Sequence, residues 1–566
     1  MVNLEKMSLI YQVPAILEKH NIKHVVISPG SRNAPLSISF SQHVHFTKHI
    51  IPDERSAAFI ALGIAQSTNS TVALVCTSGS AALNYAPAIA EAFFSNTPLL
   101  ILTADRPPEW IDQQDGQTIR QENLFGRHVV ASYTLPVDTT HPDSAWEFCR
   151  KVNEAASLSH SQQGPVHINI PFREPFYPTE KITFDNTLKI IAHSKLESIY
   201  PESVINEFIK KIPSDVKILC IAGQSKRDEY LNEYIPQLGI PVISETISNL
   251  NQSKNNIQKH DLIIPTLSET EQEQLKPDLL ITWGESIVSK SLKNYLRKHK
   301  PLHHWHISLS GKAPDTYQSL TANIQAAPHD FIQTLNSIDY NKNYLKAWQL
   351  KELSAIEYVN TYFENIDSLS ELTAFYTVLR HLPENASIHI GNSMPIRYAN
   401  LLGHPFPMPL HTYCNRGTSG IDGIVSTAMG AALANPTETH IVLIGDMSFF
   451  YDRNAWWHNY SCSNLKIILF NNHGGGIFRF IDGPNKQEEL EEYFVTKQKL
   501  TAKSLATEFE LNYFNATNID SLKSQLNKLL RPSTQPSIIE IETNGIEDVE
   551  AFKLFKQQFK PNKHEK

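Results

Sequence analysis

Between Thr439 and Phe480 the chain reads THIVLIGDMSFFYDRNAWWHNYSCSNLKIILFNNHGGGIFRF, and no other stretch narrows the choice of fold as much. Two short apolar, β-branched runs, His440–Ile444 and Leu465–Phe470, flank a segment of roughly fifteen residues with helical patterning, which predicts a βαβ unit with parallel strands. The first run ends in Gly445-Asp446 and the second in Asn471-Asn472. Ligands in open parallel sheets collect outside the carboxyl ends of neighbouring strands, so a carboxylate and a carboxamide meet there. Oxygen donors of that kind suit a hard cation such as Mg²⁺, whose remaining positions are filled by phosphate, carbonyl or water oxygens. Gly474-Gly475-Gly476 follows and lets the backbone come close to a diphosphate.

A chain of 566 residues is too long for a single core and predicts about three domains. Up to about Asp185, apolar runs at His24–Ser28, Val72–Cys76, Leu99–Thr103 and Val166–Ile170 alternate with helical segments, the pattern of a doubly wound α/β domain. After a polar, proline-bearing stretch around Pro175–Ser194, a second alternation runs through Val216–Gly223, Ile240–Thr246, Asp278–Glu285 and His303–Leu309. It is similar to a nucleotide-binding sheet without the glycine fingerprint. Beyond a polar connection near Ile338–Asn343, strands are expected at Ser387–Ile390, His440–Ile444, Leu465–Phe470 and Ser537–Glu542. The expected division is 1–185, 186–345 and 346–566. Alternation along His303–Leu309 sends His304 and His306 to one face and His303 to the other, which leaves no three-ligand metal cluster.

The net charge of −8 and pI near 6.3 speak against a nucleic-acid or anionic-membrane partner. Five cysteines without CxxC spacing show no disulfide framework or zinc site, and the expected location is the reducing cytoplasm. No apolar run reaches the ~18 residues of a membrane span, and Glu5 and Lys6 fall where a signal peptide needs its apolar centre.

His49–Gln66 reads as a strand followed by a helix, with Asp53 as N-cap and Glu54 in the first helical turn. An acidic residue there complements the helix dipole, worth ~0.3–1 kcal/mol, and that alone explains Glu54.

A resemblance adds a second explanation. Gly445-Asp446, the 24 residues from Ser448 to Asn471, and then Asn472 resemble the metal and diphosphate motif of thiamine diphosphate enzymes. Four further blocks, Ser28-Pro29-Gly30-Ser31-Arg32-Asn33, Thr103–Glu109 (TADRPPE), Gly391–Arg397 (GNSMPIR) and Asn415–Gly423 (NRGTSGIDG), resemble the MenD-type branch of that family. Its members are the 2-succinyl-5-enolpyruvyl-6-hydroxy-3-cyclohexene-1-carboxylate synthases of menaquinone biosynthesis. The similarity is strongest in the first and third domains and weak between about Leu188 and Ala374.

The resemblance implies an α/β fold of three doubly wound parallel-sheet domains: pyrimidine-binding, central and diphosphate-binding. It implies a homodimer or homotetramer using thiamine diphosphate and Mg²⁺, which Mn²⁺ can replace. The implied transferase decarboxylates 2-oxoglutarate and adds the succinyl carbanion equivalent to isochorismate. Carried over by position, Asp446 and Asn472 bind the metal through side chains and Gly474 through its carbonyl. Glu54 bonds the aminopyrimidine, its desolvated carboxyl sharing a proton with the ring. Ile421 is the apolar wedge that bends the cofactor, and Ile477 and Phe478 line the site. Ser419, Gly420 and Gly445 complete the cofactor cradle.

Both implied substrates carry several carboxylates, which arginine forks bind in bidentate fashion. Arg397 and Arg416, with Ser393, are expected to hold 2-oxoglutarate. Ser31, Arg32 and Arg106 are expected to face isochorismate with Lys290 from the middle domain, and Gln117 to lie near the reacting atoms. Two departures stand out: Met447 replaces the last glycine of the general Gly-Asp-Gly motif, and His473, between Asn472 and Gly474, has no role assigned. Rival readings are an acetolactate synthase-like carboligase, against which the loop arginines count, and a silent cofactor-binding regulatory protein, against which Glu54 counts.

Overall fold

The computed structural model describes residues 9–174, 176–191, 207–403 and 410–560. Glu5 and Lys6, and the parts of the expected connection at 175 and 192–194, lie outside the described residues.

Three parallel sheets carry the chain. The first holds β1 (His24–Ile27), β2 (Thr47–Ile50), β3 (Val72–Cys76), β4 (Leu99–Asp105), β5 (Ala131–Thr134) and β6 (Val166–Pro171) in the order β2-β1-β3-β4-β6-β5. The second holds β7 (Ile218–Ala222), β8 (Val242–Ser244), β9 (Asn256–Ile257), β10 (Leu279–Trp283), β11 (His303–Ile307) and β12 (Ala322–Ile324). Its order, β12-β11-β10-β7-β8-β9, is that of dinucleotide-binding sheets, in line with the sequence pattern. The third holds β13 (Ala386–Ile390), β14 (Thr412–Tyr413), β15 (Thr439–Gly445), β16 (Leu465–Asn471), β17 (Asn512–Ala516) and β18 (Ser537–Glu542), and repeats the order of the first. Central strands such as β3, β4 and β16 are buried at every residue, which is why they read as unbroken apolar runs.

The helices that matter for the site are α1 (Glu54–Thr68), α2 (Ala86–Phe94), α3 (Lys290–Lys298), α4 (Lys342–Glu364), α5 (Glu371–Leu379), α6 (Met394–Leu402), α7 (Ile424–Ala434) and α8 (Asp446–Tyr451). The expected boundary at 345/346 falls within α4, whose N-cap is Asn341. The fifteen-residue helix expected after Ile444 is only the short α8 followed by a 3-10 turn at Arg453–Trp456. It stops where Asp452 turns its carboxylate to the Ser426 amide (2.6 Å) and hydroxyl (2.8 Å) at the start of α7. His304 Nε2 and His306 Nδ1 each lie 3.0 Å from the Thr282 hydroxyl, so the two share a face as alternation requires.

The first and third sheets are joined through α1 and α7. Helix α1 is buried from Ser56 to Ala65 on all sides, as a helix apolar all round must be. Gly63 and Gly430 make the approach possible: a Cβ on Gly63 would lie 1.8 Å from the Thr427 carbonyl, and one on Gly430 2.0 Å from that of Ile60. Around this contact Arg55 donates to the Tyr451 carbonyl (2.7 Å) and Asn454 to Asp53 (2.7 Å). No helix among the described residues is long and apolar enough to cross a membrane.

Candidate active site

The third sheet reverses its strand order between β13 and β15, and in open parallel sheets such a switch point opens a crevice at the strand ends. Three neighbouring strands deliver polar residues there: β13 into Asn392 and Ser393, β15 into Asp446, and β16 into Asn472.

Asp446 is 2 % exposed. Gln498 Nε2 donates to its Oδ2 at 2.7 Å and to Asn471 Oδ1 at 3.2 Å. Burial pushes the Asp446 carboxyl up to about 6, against hydrogen bonds from Gln498 and from the Met447 and Gly474 amides. Asn472 donates from Nδ2 to Glu371 Oε2 (3.3 Å), while its Oδ1 is buried with no hydrogen-bond partner. An orphaned amide oxygen beside a buried carboxylate is what a cation coordinates, so the donor set fits the expected metal. The Gly474 carbonyl accepts the Gly476 amide at 2.9 Å and keeps one lone pair for a further partner. Behind these groups, burial first and the neighbouring Asp548 charge second hold Glu371 well above the usual carboxylate range. His473, at φ 61°, places its ring 3.9 Å from Glu542.

Two cationic side chains converge beside this centre. Ser393, at φ 73°, opens α6, and Arg397 one turn on donates to its carbonyl at 2.5 Å. Arg416 donates from Nη1 to Asn392 Oδ1 (3.0 Å), and its Nε is buried without a hydrogen-bond partner. Burial and the facing Arg416 charge lower the Arg397 pKa, and Asp261 opposes them. Asn392 ties the two segments together by donating to the carbonyls of Asn415 (2.7 Å) and Gly420 (2.6 Å). Beyond it lie Ser419, at φ 62°, and Ile421, 39 % exposed. Gly445, Ile477 and Phe478 are all half-buried.

From the middle domain, Lys290 is exposed at the first position of α3. Lys293, one turn on, bonds the Ile287 carbonyl (2.6 Å), and burial lowers its pKa with help from the Arg416 charge. Lys293 is therefore the lysine of α3 that lies near Arg416, and the sequence reading missed it.

The first-domain candidates follow three strands of their own sheet: Ser31 and Arg32 follow β1, Glu54 follows β2, and Arg106 and Gln117 follow β4. Arg32 is buried, donating to the Phe172 carbonyl (3.1 Å) with its guanidinium 4.4 Å from the Phe176 ring centre. Ser31 is exposed. Arg106 grips the loop ahead of Gln117, lying 3.3 Å from Asp115 and donating to the Gly116 carbonyl (2.9 Å). Gln117 is exposed at φ 56°. Glu54 stands at the start of α1, capped by Asp53, which accepts from the amides of Arg55 (2.9 Å) and Ser56 (3.3 Å). No hydrogen bond or ion pair joins Glu54 to Asp446, Asn472 or Gly474 among the described residues. Besides Lys293, the sequence reading missed Asn392, Gln498, Glu371 and Glu91, whose contacts with the site run across long sequence separations.

Comparison with known proteins agrees with the three-domain fold. Residues 7–124 match the model described as "Thiamine pyrophosphate enzyme, N-terminal TPP binding domain". Residues 215–390 match "Middle domain of thiamine pyrophosphate", and 398–541 match "Thiamine pyrophosphate enzyme, C-terminal TPP binding domain". The chain is 44% identical over 553 residues to a 2-succinyl-5-enolpyruvyl-6-hydroxy-3-cyclohexene-1-carboxylate synthase of Cytophaga hutchinsonii, covering 97% of this chain and 99% of the relative. It is 39% identical to the protein of the same name from Flavobacterium johnsoniae, covering 98% and 99%, and 36% identical to that from Porphyromonas gingivalis, covering 95% of each.

Proposed function

The chain belongs to the 2-succinyl-5-enolpyruvyl-6-hydroxy-3-cyclohexene-1-carboxylate synthase family of thiamine diphosphate enzymes, and from that premise we propose how its residues divide the work. It is a thiamine diphosphate-dependent transferase of menaquinone biosynthesis. 2-Oxoglutarate is decarboxylated and its succinyl unit is added to isochorismate.

Thiamine diphosphate, when bound, supplies the electron sink for decarboxylation and for forming the new carbon–carbon bond. Asp446, Asn472 and Gly474 hold Mg²⁺, or Mn²⁺ in its place, against the diphosphate. Gly445, Ser419, Gly420, Ile421, Ile477 and Phe478 shape the cofactor pocket. Glu54 holds and returns a proton at the aminopyrimidine. Ser393, Arg397 and Arg416 bind 2-oxoglutarate, Ser31, Arg32, Arg106 and Lys290 serve isochorismate, and Gln117 lies near the reacting atoms. The same reading makes 1–185 the pyrimidine-binding domain, 186–345 the central domain and 346–566 the diphosphate-binding domain. The protein is a cytoplasmic homodimer or homotetramer in which the first domain of one subunit completes the third domain of its partner.

One observation carries the substrate assignment: the Arg397 and Arg416 guanidiniums lie close enough for the Arg416 charge to lower the Arg397 pKa, and the Arg416 Nε is buried without a hydrogen-bond partner. Like charges gathered this way need an anion between them. 2-Oxoglutarate and pyruvate share the reacting 2-oxo acid, so discrimination between them rests on the distal carboxylate. Truncating one partner of a buried, hydrogen-bonded charge pair costs ~2–5 kcal/mol. At ~1.4 kcal/mol per tenfold, at least one of Arg397→Ala and Arg416→Ala therefore lowers the preference for 2-oxoglutarate over pyruvate roughly thirty-fold to a few thousand-fold. The check is kcat/KM for each oxo acid with isochorismate saturating. If both variants keep the wild-type preference, the distal carboxylate is bound by other residues.

A further inference from the structure

Glu91 is the only charged residue of α2, whose sequence is otherwise APAIA-AFF, and it is 1 % exposed. Its carboxylate leaves the first domain and ends on a loop of the third. Oε1 accepts from the Gly417 amide at 2.7 Å, while Oε2 accepts from the Thr418 amide at 2.6 Å and the Thr418 hydroxyl at 2.8 Å. The fit is tight: a Cβ on Gly417 would lie 2.6 Å from the Glu91 carbonyl oxygen and 2.9 Å from Oε1. Gly417 and Thr418 directly follow Arg416 and directly precede Ser419-Gly420-Ile421.

Other elements grip the same loop. Asn392 donates to the carbonyls of Asn415 and Gly420 and accepts from Arg416. The middle-domain Gln224 donates to the Cys414 carbonyl at 2.7 Å. Glu91 is the first domain's share of this grip. If joining two domains were its only task, an apolar contact would do so without the cost of desolvating a carboxylate. A carboxylate instead fixes two successive amides and a hydroxyl in direction, which apolar packing cannot do.

We propose that Glu91 is a positioning residue: it clasps the Gly417-Thr418 turn so that the Arg416 guanidinium points at the substrate carboxylate. The proposal rests on the reading of Arg416 as a substrate-binding group. Burial holds the Glu91 carboxyl above the usual carboxylate range, against the Thr418 and Gly417 hydrogen bonds and the Arg416 charge.

The test is steady-state kinetics and calorimetric binding of thiamine diphosphate with Mg²⁺, on the full chain, for Glu91→Ala, Glu91→Gln, Arg416→Ala and the Glu91→Ala/Arg416→Ala double variant. Glu91→Ala is expected to raise KM for 2-oxoglutarate about ten- to a hundred-fold. Cofactor affinity changes far less, because Asp446, Asn472 and Gly474 hold the diphosphate from other loops. Glu91→Gln keeps one acceptor and recovers part of the loss. The double variant is no worse than Arg416→Ala alone, since both act on one group. A wild-type KM in both Glu91 variants, with KM raised in Arg416→Ala, overturns the proposal whether or not their melting temperatures fall. An unchanged KM in Arg416→Ala is a different result and overturns the reading beneath it. Should Glu91→Ala fail to fold, Glu91→Gln against Arg416→Ala makes the same comparison.

Discussion

Glu54→Gln folds, binds thiamine diphosphate and loses turnover by roughly two to four orders of magnitude, the usual scale of a general acid–base group. The fold is spared because the capping of α1 belongs to Asp53, whose carboxylate accepts the Arg55 and Ser56 amides. Glu54 itself adds only the ~0.3–1 kcal/mol of an acidic residue at a helix N-terminus. What the amide cannot do is take up and return a proton at the aminopyrimidine. Hydrogen–deuterium exchange at the thiazolium carbon isolates that step from everything later, and it slows sharply in the variant. Exchange at the wild-type rate assigns Glu54 to the helix dipole alone.

Asp446→Ala loses the cofactor instead. On the proposed reading the diphosphate would bind beside Asp446, which is buried and, with Asn472, offers a cation a carboxylate and an unpartnered amide oxygen. Without the carboxylate the metal is held by one side chain, and the diphosphate charge stays uncompensated at a cost of ~2–5 kcal/mol. Affinity for the Mg²⁺ complex of thiamine diphosphate therefore falls roughly thirty-fold to a few thousand-fold, read by calorimetry. Unchanged affinity removes Asp446 from the metal site. Because the two lesions lie on different domains, a mixture of the two inactive variants regains part of the activity if the subunits share sites. No recovery after verified subunit exchange counts against sharing.

The interiors of all three sheets were readable because buried parallel strands are continuous apolar runs. The strands that went unread, β5, β9, β12, β14 and β17, all lie at sheet edges. β5 is half-buried throughout, and β9 and β14 are two residues long, so neither period nor length marked them. The helix after Ile444 was overestimated because Asp452 looks like one more helical residue until Ser426 is known to meet it. In the site, Asp446 and Asn472 were legible because each ends a strand with a polar pair. Glu371 was not: Ser370 and Thr373 mark it as the first turn of a capped helix, and nothing local shows that Asn472 lies above it. Glu91 did leave a trace, as a lone charge in an apolar helix, but its partners lie more than three hundred residues away. Lys290 and Lys293 are one helical turn apart, and only the packing of the middle domain on the Arg416 loop distinguishes them.

The central claim is that this chain joins the succinyl unit of 2-oxoglutarate to isochorismate. Mass spectrometry of the products formed from uniformly ¹³C-labelled 2-oxoglutarate and unlabelled isochorismate, with thiamine diphosphate and Mg²⁺, tests it most directly. The account predicts one labelled carbon released as CO₂ and the other four carried into 2-succinyl-5-enolpyruvyl-6-hydroxy-3-cyclohexene-1-carboxylate, with no such product when pyruvate replaces 2-oxoglutarate. Labelled CO₂ released while isochorismate stays unchanged, or an adduct formed equally well from pyruvate, contradicts it.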